Sequence, residues 1–352
     1  MKILMISLDG SILDKNSASF GRMVDYGSVC DELHILVLKG TGGRIKVADN
    51  VFAYPSGNSR LGAIFSAIKI GTKILSSGGD WVITSQDPFE TGFIAWRLSR
   101  KFSAPFEVQL HGDFYGNKYW RGENFINRFR FYLGKFILRR ADGVRVVSER
   151  IKKSISGKNI YKVPIYTEIK KIAERKNQKT EITNLLTVGN LVPVKNHKLL
   201  IKAVSEFKNI KLTIVGGGVL RKNLEKTAGR NKNIFFLGYA RDVAEFYKSA
   251  DIFVHPSLYE GWGRAVVEAA SFGLPIIMSD VGLAGEVIKN NESGLIVPVN
   301  DKKALKDAIT KMIEDKALAK RLGEKAREAV AVLPDKQKTL ELIKNNWKKL
   351  LN

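Results

Sequence analysis

The feature that most constrains the fold of this chain is a regular alternation of short apolar runs with longer segments of helical spacing. In the first half, the apolar runs have the length of strands and read KILMISL, ELHILVL, WVITSQ, FEVQLHG and GVRVVSE. Between them, the spacing of apolar residues predicts helices at 60–77, 88–101 and 123–140. Apolar strands separated by helices are typical of parallel sheets covered on both faces. The sequence therefore predicts an α/β protein.

A polar, lysine-rich stretch at 166–182 interrupts this alternation. The pattern then restarts, with predicted helices near 196–207, 219–228, 242–249 and 263–272. We therefore predict two Rossmann-like, doubly wound domains that face a central cleft, with boundaries at 1–165 and 183–335 and a linker at 166–182. The remainder reads as helix with a break at LPDK, and we expect a helix at 336–352 to pack back on the first domain.

Charge is the strongest signal in the composition. The 352 residues contain 58 Lys and Arg against 35 Asp and Glu, a net charge of +23. Such an excess favours contact with polyanions such as nucleic acid, an anionic membrane or phosphorylated substrates, although a solvated lysine-rich surface explains much of it. Cys30 is the only cysteine, which excludes an internal disulfide and a cysteine zinc cluster. The sequence has no apolar run of membrane-spanning length and no signal peptide at its start, so we expect a cytoplasmic protein.

Two glutamates bracket a glycine-rich turn in the stretch YEGWGRAVVEAASFG. Glu260 precedes the turn, Gly261 and Gly263 allow tight backbone geometry, and Glu268 lies in the helix that follows. The first amides of a helix attract a phosphate. Glu268 lies some ~7–8 Å further along at the helical rise, about the reach from a diphosphate to a ribose. The order acid, phosphate site, acid therefore indicates a nucleotide sugar, unless the pair is merely a helix-terminus acid and a solvated position.

The longer stretch HPSLYEGWGRAVVEAASFGLPIIMSD resembles the signature of the retaining glycosyltransferases of family four, which have the GT-B fold. The resemblance covers most of 180–335. It implies that Glu260 is catalytic and contacts the transferred sugar, and that Glu268 binds the ribose. It also places Gly261, Trp262, Gly263, Arg264 and Ala265 in the donor site.

A second stretch, LLTVGNLVPVKNHKLLIKAV, is similar to the family's diphosphate-binding segment. The resemblance implies that Lys195 clamps the donor diphosphate and takes part in catalysis. The family's usual arginine is replaced by Asn190, which carries no charge, and Arg264 is the candidate to compensate. Gly217, in the loop VGGG, is implied to line the donor site, although the three glycines there fit an ordinary tight turn as well.

The N-terminal half carries fewer motifs. The resemblance implies that His111, after the strand FEVQL, contacts the transferred sugar. On the acceptor side we place Gly10 and Asp113, and a helix-capping role for Asp113 is an equal alternative. The resemblance implies transfer with retention. We expect no metal ion or other cofactor, because the sequence has no Asp-x-Asp motif or metal-ligand spacing. The expected partners are a nucleotide-sugar donor and a glycan or lipid-linked acceptor, in the synthesis of a cell-surface polysaccharide.

The segment KYWRGENFINRFRFYLGKFILRR, at Lys118–Arg140, is rich in cations and aromatics. Phe125, Phe129, Tyr132 and Phe136 recur at helical spacing and are expected to face the core. We assign Trp120, Arg128, Arg130 and Lys135 to an exposed face that contacts anionic lipid at the inner side of the cell membrane. A solvated basic helix is the alternative.

Two other functions fit parts of the pattern. A nucleotide-sugar epimerase of the same fold would share the donor site and would act on the donor alone. A basic nucleic-acid-binding protein would explain the net charge. The sequence lacks a zinc finger or an aromatic RNA-binding motif, and no nucleic-acid partner is expected.

Overall fold

The structure is a computed structural model that describes residues 1–168 and 182–352. It divides into two compact units. Unit 1 comprises Met1–Pro164 and Lys336–Asn352, and unit 2 comprises Ile165–Asp335. Most of the linker predicted at 166–182, from 169 to 181, lies outside the described residues.

Unit 1 is built on an eight-stranded sheet with helices between its strands. The strands are β1 Lys2–Ser7, β2 Glu32–Val37, β3 Ile45–Ala48, β4 Val51–Pro55, β5 Trp81–Ser85, β6 Phe106–Leu110, β7 Gly143–Val146 and β8 Ile160–Lys162. The helices are α1 Ala18–Gly27, α2 Arg60–Leu75, α3 Glu90–Phe102, α4 Lys118–Glu123, α5 Phe125–Leu138 and α6 Glu149–Ser154. The sheet order is β3-β4-β2-β1-β5-β6-β7-β8.

The sheet is parallel except at one edge, where β3 pairs antiparallel with β4. The five apolar runs of the first half are strands, as predicted. Three strands, β3, β4 and β8, were not predicted. β3 and β8 are short, and β4 alternates buried with partly exposed residues like a strand covered on one face.

Unit 2 has a six-stranded, wholly parallel sheet. Its strands are β9 Thr183–Val188, β10 Ile210–Val215, β11 Ile234–Gly238, β12 Ile252–His255, β13 Ile276–Ser279 and β14 Leu295–Val297. Its helices are α7 His197–Val204, α8 Arg221–Ala228, α9 Ala244–Ser249, α10 Arg264–Ser271, α11 Lys302–Glu314 and α12 Lys316–Ala331. The two sheets and their helices make this a doubly wound α/β protein, as the sequence predicts.

The strand order of unit 2 is β11-β10-β9-β12-β13-β14. From β9 the chain builds outward to β10 and β11, and then returns to the other side of β9 with β12. The order therefore reverses between β9 and β12, and the loops that follow these two strands lie next to each other. Such a reversal is where open parallel sheets bind their ligands.

The last helix of the chain, α13 Lys336–Leu351, belongs to unit 1. Ile343 and Trp347 of α13 are fully buried in one apolar cluster with Ile3 and Ile35 of β1 and β2. The Trp347 ring meets the ring of Tyr26 edge-to-face at 6.3 Å between centroids. The helix is thus part of the core of unit 1.

Three of the four aromatic residues of α5 that were predicted to face the core are exposed, whereas Phe136 is half-buried and its ring contacts Trp96. Phe125, Phe129 and Tyr132 are 83%, 71% and 72% exposed. The helix instead buries the face that carries Asn127 and Gly134. Apolar residues lie on both sides of this helix, so their spacing predicts the helix but does not decide which side is buried.

The structure also corrects the surface assigned to Trp120, which is only 5% exposed. Its ring stacks on Phe89 at 5.1 Å between centroids and contacts Phe114 at the same distance. Arg130, assigned to that surface too, is partly buried and pairs with Glu90 at 2.8 Å. Arg128 and Lys135 are exposed.

Candidate functional site

Several polar side chains of unit 2 lie close together where the loop after β9 meets the loop after β12. Lys195 ends a short 3₁₀ turn after β9, and Glu260 follows β12. The Lys195 ammonium donates to Glu260 Oε1. The backbone ties the same loops together, since the Leu258 amide donates to the Val194 carbonyl at 2.8 Å. The structure therefore brings together two residues that are far apart in sequence and that were both assigned to the donor site.

Glu260 accepts two further hydrogen bonds. His255 Nε2 and the Ser257 hydroxyl both lie 2.9 Å from Glu260 Oε1. Burial alone raises the pKa of Glu260, but the hydrogen bond from His255 and the charge of Lys195 outweigh it and lower this pKa to about 2. Burial also lowers the pKa of His255, against the opposing effect of Glu260. The site therefore holds an ionised glutamate beside a neutral histidine.

Glu268 lies on the other side of the glycine turn, on α10. The hydroxyl of the buried Tyr247 donates to Glu268 Oε2 at 3.0 Å. Burial, and then the charge of Glu268, raise the pKa of Tyr247, so its hydroxyl remains protonated as the donor. Arg264 Nη2 is 3.6 Å from Glu268 Oε1. Each glutamate of the motif is thus paired with one of the two predicted phosphate-binding cations.

The turn between the glutamates leads directly into α10. Gly263 is the N-cap residue with a φ of 107°, a conformation that other residues rarely adopt. The first helical hydrogen bond runs from the Val266 amide to the Gly263 carbonyl, so the amides of Arg264 and Ala265 precede it. Gly261, Trp262 and Gly263 are buried, and the Leu283 amide donates a hydrogen bond of 3.0 Å to the Trp262 carbonyl. The helix N-terminus is therefore in place to attract an anion.

The glycine loop after β10 packs on the loop after β9. A Cβ atom on Gly216 would lie 1.9 Å from the Gly189 carbonyl oxygen, and one on Gly218 would lie 2.6 Å from that of Leu191. A Cβ on Gly217 would meet only Tyr239 Cβ, at 3.8 Å. Gly216 and Gly218 are therefore required for the packing of the two loops. Gly217 is not, so it is the glycine of this loop that remains assigned to donor binding. Asn190 is exposed in the neighbouring loop.

In unit 1, His111 ends a chain of buried side chains that runs across the sheet. His111 Nε2 contacts Gln109 Oε1 at 2.9 Å, and Gln109 Nε2 donates to the Thr84 hydroxyl at 2.7 Å. Thr84 in turn donates to Glu107 Oε1 at 3.0 Å. Tyr161 donates to the second oxygen of Glu107.

The direction of this chain fixes the protonation of His111. Thr84 donates to Glu107 and Gln109 Nε2 donates to Thr84, so the Gln109 carbonyl oxygen, which can only accept, faces the imidazole. His111 therefore carries its proton on Nε2 and presents Nδ1 as an acceptor. Burial, helped by the charges of Arg145 and Arg22, lowers the pKa of His111 to about 3, so the ring is neutral.

The two residues assigned to the acceptor side, Asp113 and Gly10, both lie in turns that follow strands of unit 1. Asp113 is buried and accepts from the Gly116 amide at 2.9 Å, in the turn before α4. The cap of α4 is Asn117, so the predicted helix-capping role of Asp113 is wrong. Gly10 begins a 3₁₀ turn after β1 that is capped by Asp9. A Cβ at Gly10 would approach Lys39 Cδ to 3.1 Å.

Sequence reasoning missed His255 and Ser257 as partners of Glu260, and Gln109 and Thr84 as partners of His111. A signal existed for the first pair, because His255 is polar at the end of an apolar strand and Ser257 follows it by two residues. Gln109 and Glu107 stood out in the same way as polar residues within a buried strand. Their contact with Thr84 depends on the pairing of β5 with β6, which spacing along the chain does not reveal.

Unit 1 also contains a cavity of about 970 Å³ lined by residues that include Trp96, Arg100, Arg140, Lys158 and Lys349. Its lining includes Phe106, the first residue of β6, and Asn159, which directly precedes β8. The cavity therefore lies at the amino ends of the strands. The loops that carry His111 and Gly10 follow the carboxyl ends of the strands, on the opposite side of the sheet.

Comparisons with known proteins agree with this architecture. Sucrose-phosphate synthase from Thermosynechococcus elongatus superposes with a TM-score of 0.84 at 20% identity, over 99% of both chains. The Anabaena protein HepE, solved in complex with UDP and glucose, superposes with a TM-score of 0.78 at 16% identity, over 99% of both chains. These likenesses show that the fold is the GT-B fold.

Sequence comparison adds a match of one part of the chain to a protein family. Residues 168–329 match the family model of the glycosyl transferases group 1. An uncharacterized glycosyltransferase of Methanocaldococcus jannaschii is 29% identical over 75% of this chain and 74% of its own length. An Escherichia coli UDP-Gal:α-D-GlcNAc-diphosphoundecaprenol α-1,3-galactosyltransferase is 32% identical over 37% of this chain and 36% of its own. Residues 168–329 therefore match the group 1 glycosyltransferases, and the relatives named glycosyltransferases support a transferase enzyme.

Proposed function

We propose that this enzyme transfers a sugar, with retention and without a metal ion, from a nucleoside diphosphate sugar to a glycan or lipid-linked acceptor. The observation that carries the proposal is the junction of Lys195 and Glu260 at the reversal of strand order in unit 2. A cation, an ionised acid and a helix N-terminus lie there within adjoining loops. This combination suits a ligand with both a diphosphate and sugar hydroxyls.

Each side chain has a distinct role in the proposal. Glu260, held ionised by its three donors, accepts hydrogen bonds from hydroxyls of the transferred sugar. Glu268, oriented by Tyr247, accepts from the ribose. Lys195, Arg264 and the first amides of α10 stabilise the negative charge that develops on the departing diphosphate. These cations take the part that a metal ion would otherwise play.

Retention is proposed from the resemblance of the motif around Glu260 and Glu268. In this reaction the bond from the anomeric carbon to the diphosphate breaks and the acceptor hydroxyl bonds to the same face of that carbon. The departing phosphate oxygen takes the hydroxyl proton, so the step balances without a further base. His111 accepts a hydrogen bond at Nδ1 from a hydroxyl of the transferred sugar.

The acceptor and pathway are proposed from the names of relatives. Two of them, from Escherichia coli and Campylobacter jejuni, are named for acceptors linked to diphospho-undecaprenol, and one from Staphylococcus aureus for capsular polysaccharide biosynthesis. We therefore propose a role in building a cell-surface polysaccharide at the cytoplasmic face of the membrane. In the described part of the chain, no helix is long and apolar enough to cross a membrane.

The first test is a thermal-shift screen with UDP, GDP, ADP and CMP, because a ligand of the native state raises the melting temperature. One nucleoside diphosphate should stand out with the wild-type protein, and Glu268→Ala should weaken its binding by about 10- to 100-fold, the loss of one charged hydrogen bond. The exposed Glu314→Ala serves as the matched control. Equal affinity in wild type and Glu268→Ala would contradict the ribose assignment.

The second test addresses the reaction. With the donor so identified, NMR of the product should show the anomeric configuration of the donor, and activity should persist in EDTA. Lys195→Ala should lose nearly all transfer while retaining its fold by circular dichroism. Sugar rearrangement in the absence of acceptor would favour the epimerase, and a strict requirement for magnesium or manganese would refute metal independence.

A further inference from the structure

The outward face of α5 exposes an aromatic stripe that nothing in the described part of unit 1 covers. Phe125, Phe129 and Tyr132 follow one another at intervals of four and three residues, which places them on one face of the helix. Ile126 beside them is 44% exposed. Single exposed apolar residues are ordinary, but a contiguous row of large rings on one helix marks an interaction surface.

Cations flank the aromatic stripe. Arg128, Lys135 and Arg139 are exposed. Arg128 lies three residues after Phe125, and Lys135 and Arg139 lie three and seven residues after Tyr132. These helical intervals place all three cations on the same face as the rings. None of the three pairs with a carboxylate of the described residues. The sequence of α5, FINRFRFYLGKFIL, contains no acid. We call these six residues, Phe125, Arg128, Phe129, Tyr132, Lys135 and Arg139, the α5 face.

A second helix brings similar residues close to the α5 face. On α2, Leu61 and Phe65 are 71% and 72% exposed, and Lys69 continues the row at the same interval of four. The first turn of α2 adjoins α5, because Arg60 of α2 and Arg130 of α5 donate to the same oxygen, Glu90 Oε1. The α2 helix contains no acid either.

We propose that the α5 face binds the surface of an anionic phospholipid bilayer. The rings enter the boundary between headgroups and acyl chains, and the three cations lie at the level of the lipid phosphates. The stripe of Leu61 and Phe65 adds a second apolar contact next to it. The charge of the α5 face indicates that it binds an anionic bilayer. A face that carries only positive charge repels a second copy of itself and attracts an anionic surface.

The proposal concerns a surface of unit 1 and does not depend on the donor site in unit 2. It differs from the surface predicted from sequence, because Trp120 and Arg130 are replaced by Phe125, Phe129, Tyr132 and Arg139. Variants of the α5 face are therefore expected to keep nucleotide binding intact. This separates a failure of the membrane proposal from a failure of the proposed reaction.

The test is flotation of the whole protein with vesicles of phosphatidylcholine, alone or with about one third phosphatidylglycerol. One triple variant, Phe125→Ser, Phe129→Ser and Tyr132→Ser, removes the rings. A second, Arg128→Glu, Lys135→Glu and Arg139→Glu, reverses the charges. The matched controls are Arg230→Glu, Lys303→Glu and Lys316→Glu in one chain, and Val332→Ser, all at exposed positions of unit 2.

The wild type and both controls should float with the anionic vesicles. The charge variant should lose about 100-fold or more in partitioning, the sum of three cations near the membrane. The ring variant should also bind the anionic vesicles more weakly and dissociate from them at moderate salt. Melting temperature and nucleotide binding should remain those of the wild type for all variants.

Three outcomes would overturn the proposal. Binding that is equal for neutral and anionic vesicles would remove the role of charge. A concentration-dependent dimer that the ring variant abolishes would make the α5 face an interface between two copies. Tighter binding to a single-stranded oligonucleotide than to anionic vesicles, lost in both variants, would identify a nucleic-acid surface instead.

Discussion

At the scale of single residues, the central feature is the ionised state of Glu260. A buried carboxylate ordinarily becomes harder to ionise, and this one becomes easier because three donors converge on one of its oxygens. The arrangement orients the Lys195 ammonium as well as the acid. Charge and geometry around Glu260, in the proposed donor site, are therefore fixed by the protein itself.

This predicts a specific dependence of stability on pH. The folded-state pKa of Glu260 is about 2, below the ordinary value of 4.5. The lowered pKa stabilises the fold above pH 4.5, and this contribution is lost as the pH falls from about 4.5 to about 2. A shift of this size corresponds to about 3 kcal/mol.

The measurement is the free energy of unfolding of unit 2 between pH 7 and pH 2, followed by the fluorescence of its tryptophan, Trp262. The difference between wild type and Glu260→Gln should be largest at neutral pH and shrink as the pH falls through this window. The exposed Glu314→Gln serves as the control and should show no such trend. A difference that stays constant over the whole range would show that Glu260 is not the titrating group.

The second prediction at this scale concerns the tautomer of His111. Gln109→Met removes the acceptor that holds the proton on Nε2, so the ring should populate both neutral tautomers. With only four histidines in the chain, ¹⁵N NMR can resolve the change. Transfer should slow by about 10-fold, the effect of one lost hydrogen bond, while nucleotide affinity stays unchanged.

Thr84→Val should act in the same direction as Gln109→Met, because it breaks the chain one bond further away. Thr84→Ser keeps the hydroxyl, so His111 in this variant should keep the wild-type tautomer, with its proton on Nε2. If His111 keeps a single tautomer in Gln109→Met, the chain of hydrogen bonds does not position the ring.

At the scale of elements, three consecutive glycines in the loop after β10 have different surroundings, and we predict that they separate packing from binding. Gly216→Ala forces a side chain into the Gly189 backbone, and its φ of 149° adds strain. We expect it to destabilise unit 2 by several kcal/mol, as buried overpacking against backbone does. Gly217→Ala meets only an ordinary van der Waals contact and should leave stability within about 0.5 kcal/mol.

Isothermal titration with the nucleotide found in the screen distinguishes the two roles. Gly217→Ala should weaken binding at unchanged melting temperature, because a methyl group there blocks close approach of the ligand to the backbone. An unchanged affinity would remove Gly217 from the donor site and leave it as a neutral position of the loop.

The elements themselves were largely predictable from the sequence. The helices at 60–77 and 88–101 match α2 and α3 closely, and the glycines around Glu260 correctly indicated the start of α10. The side of α5 that is buried was not predictable. It depends on partners from other elements, such as Trp120, whose carbonyl accepts from Asn127, and Tyr115, whose hydroxyl occupies the space left by Gly134.

The same limit applies to the site. The motif led to the assignment of Glu260 and Lys195 to the proposed site because their signal is local to a turn and a helix start. Their hydrogen bond follows from the position of β9 next to β12, which is a property of the sheet. Residues such as Gln109 and Thr84 act only through such pairings, and therefore escape an inspection of spacing.

At the scale of the whole molecule, unit 1 depends on a helix that lies beyond unit 2 in the chain. Trp347→Ala should destabilise unit 1 by about 3–5 kcal/mol, because it leaves a large cavity in its core. Urea denaturation followed by the fluorescence of Trp81, Trp96 and Trp120 reports on unit 1, and Trp262 reports on unit 2. The exposed Lys348→Ala is the control.

The midpoint for unit 1 should fall in Trp347→Ala while nucleotide binding by unit 2 persists at low urea concentration. An unchanged midpoint would mean that α13 covers the sheet without stabilising it. Loss of both units together would mean that they unfold as one.

The position of α13 also bears on how the protein is made. Domains ordinarily fold in the order in which the ribosome releases them. Here the sheet of unit 1 emerges first, yet Ile343 and Trp347, which complete its core, are translated only after all of unit 2. Unit 2 can therefore mature while the earlier sheet still exposes apolar surface to chaperones. A premature stop codon near the end of the gene would damage the part of the protein that was synthesised first.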